Sequence, residues 1–179
     1  MAKTISFKPK QVSKKLLSEL QDRALDVISN RFGLNAEAER KTLEAIGEKY
    51  GITRERVRQI ENAALATIRK SNAFKSEKQV FDELHEIVKE LGALVSEEEL
   101  LKGLSKDPLT QNHVHFYLVL GDEFNKHKED EHFSSRWTTD TDVAALVHDA
   151  LKNLYASLSD DELFSENEII AKFLEHLKG

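Results

Sequence analysis

Two helical patterns that meet at Gly51 constrain the fold of this chain more than any other feature. Thr42 and Thr53 each precede one of these patterns, and a threonine at that place caps a helix by accepting a hydrogen bond from a free backbone N–H of the first turn. After Thr53 the apolar positions recur at helical spacing and form one stripe of Val57, Ile60, Ala64 and Ile68. The pattern predicts a short helix, a three-residue turn and a longer helix, which is a helix-turn-helix.

The remaining chain also shows helical spacing. A helix is predicted from Ser13 to the residues before Gly33, and others near 76–91, 97–104, 113–120, 141–154 and 165–177. Ser96 with Glu99 and Ser165 with Glu168 have the spacing of capping boxes. Only two Pro and seven Gly among 179 residues argue against a disordered chain and against a turn-rich all-β fold.

Two short segments, 123–128 and 132–138, flank a charged tip and predict a β-hairpin. Three helices followed by a hairpin have the order of a winged helix. The predicted fold is mainly α: an N-terminal helix-turn-helix domain, then a winged-helix-like domain with a small β-hairpin and two C-terminal helices. The predicted boundaries are 1–12 for a flexible basic arm, 13–75 for the helix-turn-helix domain, 76–139 for the acidic winged-helix-like domain and 140–179 for a helical pair packed on it.

The charge changes sign along the chain. Residues 1–75 hold 16 Lys and Arg against nine Asp and Glu, a balance of +7, whereas the remainder holds 10 against 23, a balance of −13. A basic module suits a phosphate backbone, and an acidic module would be repelled by it. The net charge of −6 therefore describes neither half, and the split predicts two modules with different partners. It also predicts that the acidic module covers the basic one in the free protein. The alternative is that the acidic residues only keep a small domain soluble.

The predicted second helix begins with polar side chains of the kind that contact bases. In a helix-turn-helix these N-terminal residues meet base edges in the major groove. Arg binds guanine with two hydrogen bonds, Gln pairs with adenine, and Glu accepts from cytosine. The residues at this end are Arg54, Glu55, Arg56, Arg58 and Gln59. The alternative is a solvated face of Arg and Glu side chains that only stabilises the helix.

Residues 43–61, LEAIGEKYGITRERVRQIE, resemble region 4.2 of the bacterial primary sigma factors, and RFGL at 31–34 resembles the preceding region 4.1. The resemblance covers residues 20–70. It implies that Arg54, Glu55, Arg56, Arg58 and Gln59 contact a promoter −35-like element in double-stranded DNA, and that Arg31, Thr42, Leu43 and Glu44 lie near the DNA backbone. It also implies that Leu25, Ile28 and Phe32 offer a surface to the flap of the RNA polymerase β subunit, although these residues would equally serve as core.

The chain departs from the primary sigma factors in two respects. Positions where those proteins carry further basic residues are Ala63, Ala66 and Thr67 here, which predicts weaker phosphate and activator contacts. No segment resembles the region that opens the −10 element. We therefore expect a protein that binds DNA without acting as a complete sigma factor.

The acidic part is similar to the HARE-HTH domain, also found in the delta subunit of some RNA polymerases, through its spacing and its EF…HF…W pattern. Its third helix, within TQNHVHFYLVL at 110–120, carries no Lys or Arg, so we expect this module to bind a protein rather than DNA.

Several kinds of chemistry have no support in the sequence. With no Cys, disulfides and thiolate metal sites are excluded. The pairs His113/His115 and His127/His132 do not form a zinc ligand set, and Trp137 is expected to anchor the core. No nucleophile triad or phosphate-binding loop occurs, so neither an enzyme nor a cofactor is expected. No signal peptide or membrane span is evident, which predicts a cytoplasmic protein with no membrane partner.

Three functional hypotheses follow. The first is a sequence-specific DNA-binding transcription regulator or sigma-like accessory factor. The second is a protein adaptor that competes for the polymerase β-flap without binding DNA. The third is a DNA-acting accessory factor of a restriction or defence system, because HARE-HTH modules also accompany such systems.

Overall fold

The computed structural model describes residues 4–158 and 163–177, which form a mainly helical fold with one small sheet. The helices are α1 (Pro9–Leu17), α2 (Asp22–Phe32), α3 (Leu43–Tyr50), α4 (Arg54–Lys70), α5 (Asn72–Ser76), α6 (Lys78–Glu90), α7 (Glu97–Leu104), α8 (Pro108–Leu120), α9 (Thr141–Ser157) and α10 (Glu166–Leu177). The strands are β1 (Leu94–Ser96), β2 (Asn125–His127) and β3 (Arg136–Thr138). This architecture confirms the predicted mainly α fold.

The helix predicted from Ser13 to Gly33 is in fact two helices. At Ser18 the hydroxyl donates to the carbonyl oxygen of Lys15 (2.7 Å), which satisfies a free carbonyl at the end of α1. Gln21 then adopts an extended conformation and precedes α2. The apolar spacing continues across the break, so the periodicity alone gave no sign of it.

The predicted basic arm is also shorter than expected, because α1 begins at Pro9 and Val12 is buried. Proline suits the first helical position, since the N–H that it lacks has no partner there. Ile5 and Phe7 pack against the core, and the rings of Phe7 and Tyr117 are 6.0 Å apart. The apolar residues of this segment therefore fix much of it to the molecule.

One core joins the two predicted modules. It contains Phe32 from α2 and Phe116 from α8, whose ring centroids are 5.1 Å apart. Arg69 of α4 donates to the carbonyl oxygens of Leu120 (3.0 Å) and Val119 (2.8 Å), which lie at the end of α8 and have no partner within that helix. The change of charge after residue 75 is therefore not a break in packing.

The winged-helix arrangement includes a strand that the sequence did not reveal. Strand β1 pairs with β3, and β3 pairs with β2, both antiparallel. Trp137 on the central strand is 2% exposed, and its Nε1 donates to Glu97 (2.8 Å). The predicted hairpin and the core role of Trp137 are confirmed.

The two C-terminal helices begin as predicted. Asp140 caps α9 by accepting from the backbone N–H groups of Asp142 and Val143 (3.0 Å each). Ser165 and Glu168 form the predicted capping box before α10. Helix α10 packs mainly on α9, and its Ile169, Ile170 and Leu174 are 38–48% exposed.

Candidate nucleic-acid interface

The helix-turn-helix has its own small core. Val27 of α2, Ile46 of α3 and Val57 of α4 are buried together. Gly51 closes the turn with a φ of 62°, a left-handed conformation that glycine adopts without strain. Since Val57 faces inward, the polar residues on either side of it in the first turns of α4 face outward.

Gly47, which was not among the predicted functional residues, makes the tight turn sterically feasible. A Cβ at this position would lie 2.6 Å from the carbonyl oxygen of Ile52. Glycine within a helix costs about 1 kcal/mol relative to alanine, so a glycine in the middle of LEAIGEKY was a signal that something approaches closely there.

Both predicted threonine caps are confirmed. Thr42 accepts from the backbone N–H of Ala45 (3.1 Å), and Thr53 accepts from that of Arg56 (3.2 Å). These caps define where α3 and α4 begin, and they leave the N-terminal end of α4 at the surface.

The five residues predicted to contact bases are all exposed at this end of α4. Arg54 pairs with Glu44 (2.9 Å), and Arg58 donates twice to Glu55 (2.8 and 2.7 Å). The hydrogen bond from Arg58 lowers the pKa of Glu55, so this carboxylate stays ionised. Arg56 donates to the side-chain oxygen of Gln59 (3.0 Å). We call the group of Arg54, Glu55, Arg56, Arg58 and Gln59 the reading face.

The residues predicted near the DNA backbone lie beside the reading face. Arg31 is half-buried, donates to the carbonyl oxygen of Lys41 (3.2 Å) and pairs with Glu61 (3.4 Å). Thr42 and Glu44 are exposed in the first turn of α3, whereas Leu43 is half-buried against the small core. The structure brings these residues together at one end of α3, and their contact with DNA stays a prediction.

The predicted polymerase surface needs correction. Ile28 is fully buried and Phe32 is 4% exposed, because both belong to the core shared with the winged helix. Phe32 packs on Phe116, so α8 occupies the side of α2 that the resemblance had assigned to a partner. Leu25 alone of the three keeps partial exposure.

The predicted masking of the basic module is not seen in the part of the chain that the structure describes. The reading face is open, with the Arg54 and Arg58 side chains 69% and 53% exposed. The acidic module instead contacts the other side of the helix-turn-helix through α8. That helix is buried along most of its length, so it does not present a DNA-binding surface.

His113 and His115 contact other buried side chains. His113 Nδ1 lies 2.7 Å from the Ser13 hydroxyl, and the His115 ring lies edge-on to Trp137 with centroids 6.2 Å apart. Residues 4–158 and 163–177 contain no group of three or more His, Asp or Glu side chains arranged to hold a metal ion. Within the same residues, no helix is long and apolar enough to cross a membrane.

Comparison with known proteins identifies the same segment that holds the helix-turn-helix. Residues 16–70 match the family model described as sigma-70, region 4. The RNA polymerase sigma factor RpoS of Coxiella burnetii is 51% identical over 53 residues, which are 30% of this chain and 15% of that protein. The chain therefore matches only a small part of its relative's length. The match ends at residue 70, so the resemblance of residues 76–139 to a HARE-HTH domain stays a prediction.

The family match, the capped helices, the glycine turn and the exposed arginines all fall on one segment. Such a segment implies a transcription-related role in which it binds DNA or RNA polymerase. Residues 16–70 of this chain form a sigma-70 region 4 helix-turn-helix domain.

Proposed function

We propose that this protein is a sequence-specific DNA-binding transcription regulator, or a sigma-like accessory factor, that recognises a promoter −35-like element. The observation that carries the proposal is the exposed reading face at the capped start of α4. Val57 and the Thr53 cap fix the orientation of that helix, so its polar end has a defined direction.

Contacts with DNA could replace the ion pairs that the arginines of the reading face make in the free protein. The partners of Arg54 and Arg58 are exposed carboxylates of the same motif, Glu44 and Glu55. Exposed ion pairs of this kind contribute little to stability, so a guanine edge or a phosphate readily replaces them. Glu55, released from Arg58, becomes an acceptor for a cytosine amino group.

An unbiased selection of bound DNA from a random duplex library tests the proposal. We expect enrichment of a short motif similar to TTGACA and binding that weakens steeply with salt, because Lys and Arg release counterions when they engage phosphates. Recovery of unenriched sequences would contradict the proposal.

A second candidate function is a protein adaptor that binds the polymerase β-flap. A groove of about 290 Å³ between the α1–α2 connection and α4 supports it. Its lining is apolar or small at Leu20, Ala24, Ile60, Ala63 and Ala64. We expect the isolated flap to be retained by the immobilised protein and to be lost with Ala63→Glu, which fills the groove with charge. The absence of any complex with the wild-type protein would remove this candidate.

We also propose that the acidic module binds another protein through its C-terminal helices. Leu146 and Tyr155 of α9 and Leu174 of α10 are 51%, 75% and 47% exposed, so these helices offer large side chains to a partner. Tyr155 also lines a cavity of about 570 Å³ beside the hairpin tip at His132 and Phe133. Crosslinking from position 155 in cells would identify the partner, and a crosslink confined to solvent-exposed neighbours of the same chain would contradict the proposal.

A further inference from the structure

We infer that Asn112, in the winged-helix module, is a positioning residue for DNA binding by the helix-turn-helix. It holds the loop between α2 and α3 (residues 33–42) and, through that loop, the N-terminal end of α3. This inference rests on the proposed DNA-binding function. It gives the acidic module a part in DNA binding without any contact of its own with DNA.

The Asn112 side chain is buried, at 6% exposure, and both its amide nitrogen and its amide oxygen are hydrogen-bonded. Its Nδ2 donates to the carbonyl oxygens of Gly33 (3.0 Å) and Ala38 (2.8 Å), and its Oδ1 accepts from Nε of Arg40 (2.6 Å). One side chain therefore joins three points of a loop that lies more than 70 positions earlier in the chain.

The loop has a conformation that needs such support. Gly33 has a φ of 62°, and a Cβ there would lie 2.6 Å from Nδ2 of Asn112 and 2.9 Å from the carbonyl carbon of Glu39. Ala38 has a φ of 52°, a left-handed conformation that is uncommon for residues other than glycine. Such residues persist where their surroundings over-determine them, and here the hydrogen bond from Asn112 to the Ala38 carbonyl is part of those surroundings.

The loop ends where backbone contacts with DNA are predicted. The backbone N–H of Lys41 donates to the carbonyl oxygen of Asn30 (2.9 Å), and the carbonyl oxygen of Lys41 accepts from Arg31 (3.2 Å). Thr42 follows and caps α3. Arg40, which Asn112 holds, is thus two positions from the cap.

The predicted consequence separates affinity from specificity. In a helix-turn-helix the first helix crosses the DNA backbone, and phosphate contacts from Arg and helix N-termini set the register without reading sequence. The reading face is in α4, whose orientation depends on Val57 rather than on Asn112. Loss of the Asn112 contacts should therefore weaken binding to all sequences alike and leave the preference among them unchanged.

The test compares three variants of the full chain. Asn112→Ala removes every loop contact. Asn112→Asp keeps the size and the acceptor for Arg40 but replaces the donor with a carboxylate oxygen that repels the two carbonyls. Ser13→Ala is the matched control, because Ser13 is buried at the same interface and contacts His113 and Tyr117 of α8 but not the loop.

We expect both Asn112 variants to bind the selected duplex and a scrambled duplex about tenfold more weakly, with the slope of log affinity against log salt concentration smaller by about one. Exchange of the Lys41 amide hydrogen with solvent should become faster in both. Ser13→Ala should keep wild-type affinity and slope even if its melting temperature falls.

The outcomes distinguish this inference from the proposed function. A wild-type protein that shows no sequence preference would overturn the proposed function and, with it, a role of Asn112 in DNA binding. A wild-type protein that binds specifically, with both Asn112 variants equal to it in affinity and slope, would overturn the positioning role alone. Loss of sequence preference in the Asn112 variants would also overturn it, because that result would place their effect on the reading face. If Asn112→Ala does not fold, Asn112→Asp decides between these results.

Discussion

Two helices of this protein occupy the place of a DNA-reading helix in their motifs, and they differ in almost every other respect. Helix α4 follows the helix-turn-helix turn and begins with three exposed arginines. Helix α8 is the third helix of the winged helix, contains no Lys or Arg, and has eight buried residues among its 13. The N-terminal end of α4 is exposed to solvent, whereas α8 lies in the middle of the shared core.

The difference shows that position within a motif does not make a helix a DNA reader. The C-terminal part of α8, FYLVL at 116–120, is apolar on all sides, and such a segment gains stability by burial, whereas α4 keeps its apolar residues on one stripe. The acidic module therefore contributes a core helix and the Asn112 contacts, and the basic module, residues 1–75, contributes the exposed cations. The two modules therefore differ in charge and in role, although they share one core.

The largest effect is expected from the centre of the shared core. Phe116→Ala should lower the free energy of unfolding by about 3–5 kcal/mol, because it leaves a cavity beside Phe32 in a fully buried site. Because the core contains residues of both modules, the whole chain should unfold in one transition. Denaturant unfolding followed by far-UV circular dichroism and by Trp137 fluorescence measures this.

Tyr155→Ala is the control for that experiment, since Tyr155 is 75% exposed and its removal should leave the unfolding midpoint unchanged. Two separated transitions, with only the later module shifted by Phe116→Ala, would show that the modules are energetically independent. That result would show that α8 supports only its own module.

The next effect concerns the reading face. Arg54→Ala combined with Arg58→Ala should weaken binding to the selected duplex by at least about a hundredfold, because each removes a proposed two-bond contact with a base. Both side chains are exposed and paired only with surface carboxylates, so the melting temperature should change little. Fluorescence anisotropy with labelled duplex measures the loss.

A double variant with the same change of charge provides the control. Lys10→Ala with Lys14→Ala removes two exposed cations from α1, on which no DNA contact is predicted. We expect a change of only a few-fold in affinity from the weaker overall field. An equal loss in the two double variants would mean that binding follows net charge, and that the reading face has no special part.

The buried histidines of α8 also predict a loss of stability in mild acid, and α4 contains no histidine. Burial, and then the charge of Arg40, lower the pKa of His115 to about 3, against an opposing effect of Glu97; Lys126 and Arg31 lower it further. An unfolded histidine titrates near 6.5. Below pH 6.5 the unfolded chain therefore takes up a proton that the folded chain does not, so stability falls as the pH is lowered, by up to about 1.4 kcal/mol per pH unit.

Chemical denaturation of the wild type and of His115→Gln at a series of pH values checks this. The free energy of unfolding of the variant should fall less steeply between pH 6.5 and 5, and the difference between the two proteins should be constant from pH 7 to 9. His113, whose pKa burial also lowers, remains in both proteins, so some acid sensitivity persists. Parallel curves over the whole range would contradict the assignment to His115.

The local features of the helix-turn-helix were predictable from sequence because each is determined within a few residues. Thr42, Gly51 and Thr53 act on the nearest turn of backbone, and the stripe around Val57 sets which way the first turns of α4 face. Sequence was enough to identify the reading face for the same reason. The Thr53 cap and the buried Val57 together determine that its side chains face outward.

The features that the sequence did not reveal depend on distant partners. Strand β1 exists only by pairing with β3, about 40 positions later, and its three residues carry no pattern of their own. Ile28 and Phe32 have the same spacing whether they face a partner protein or α8. Asn112 is one of several polar residues in the first half of α8, and its role appears only when the loop at 33–42 is placed against it.

The smallest effect is expected from removal of the N-terminal caps of α4 and α8. Thr53 caps α4, and Asp107 caps α8 by accepting from the backbone N–H of Thr110 (2.9 Å). Thr53→Ala and Asp107→Ala should each lower the melting temperature by about 2–4 °C, because each leaves a first-turn N–H without its partner. Only Thr53→Ala should also weaken binding to the selected duplex, by about threefold to tenfold, since fraying at that cap loosens the residues that we propose to contact bases. Calorimetry paired with anisotropy separates the two results, and an equal loss of affinity in both variants would mean that general stability, not the order of the reading face, limits binding.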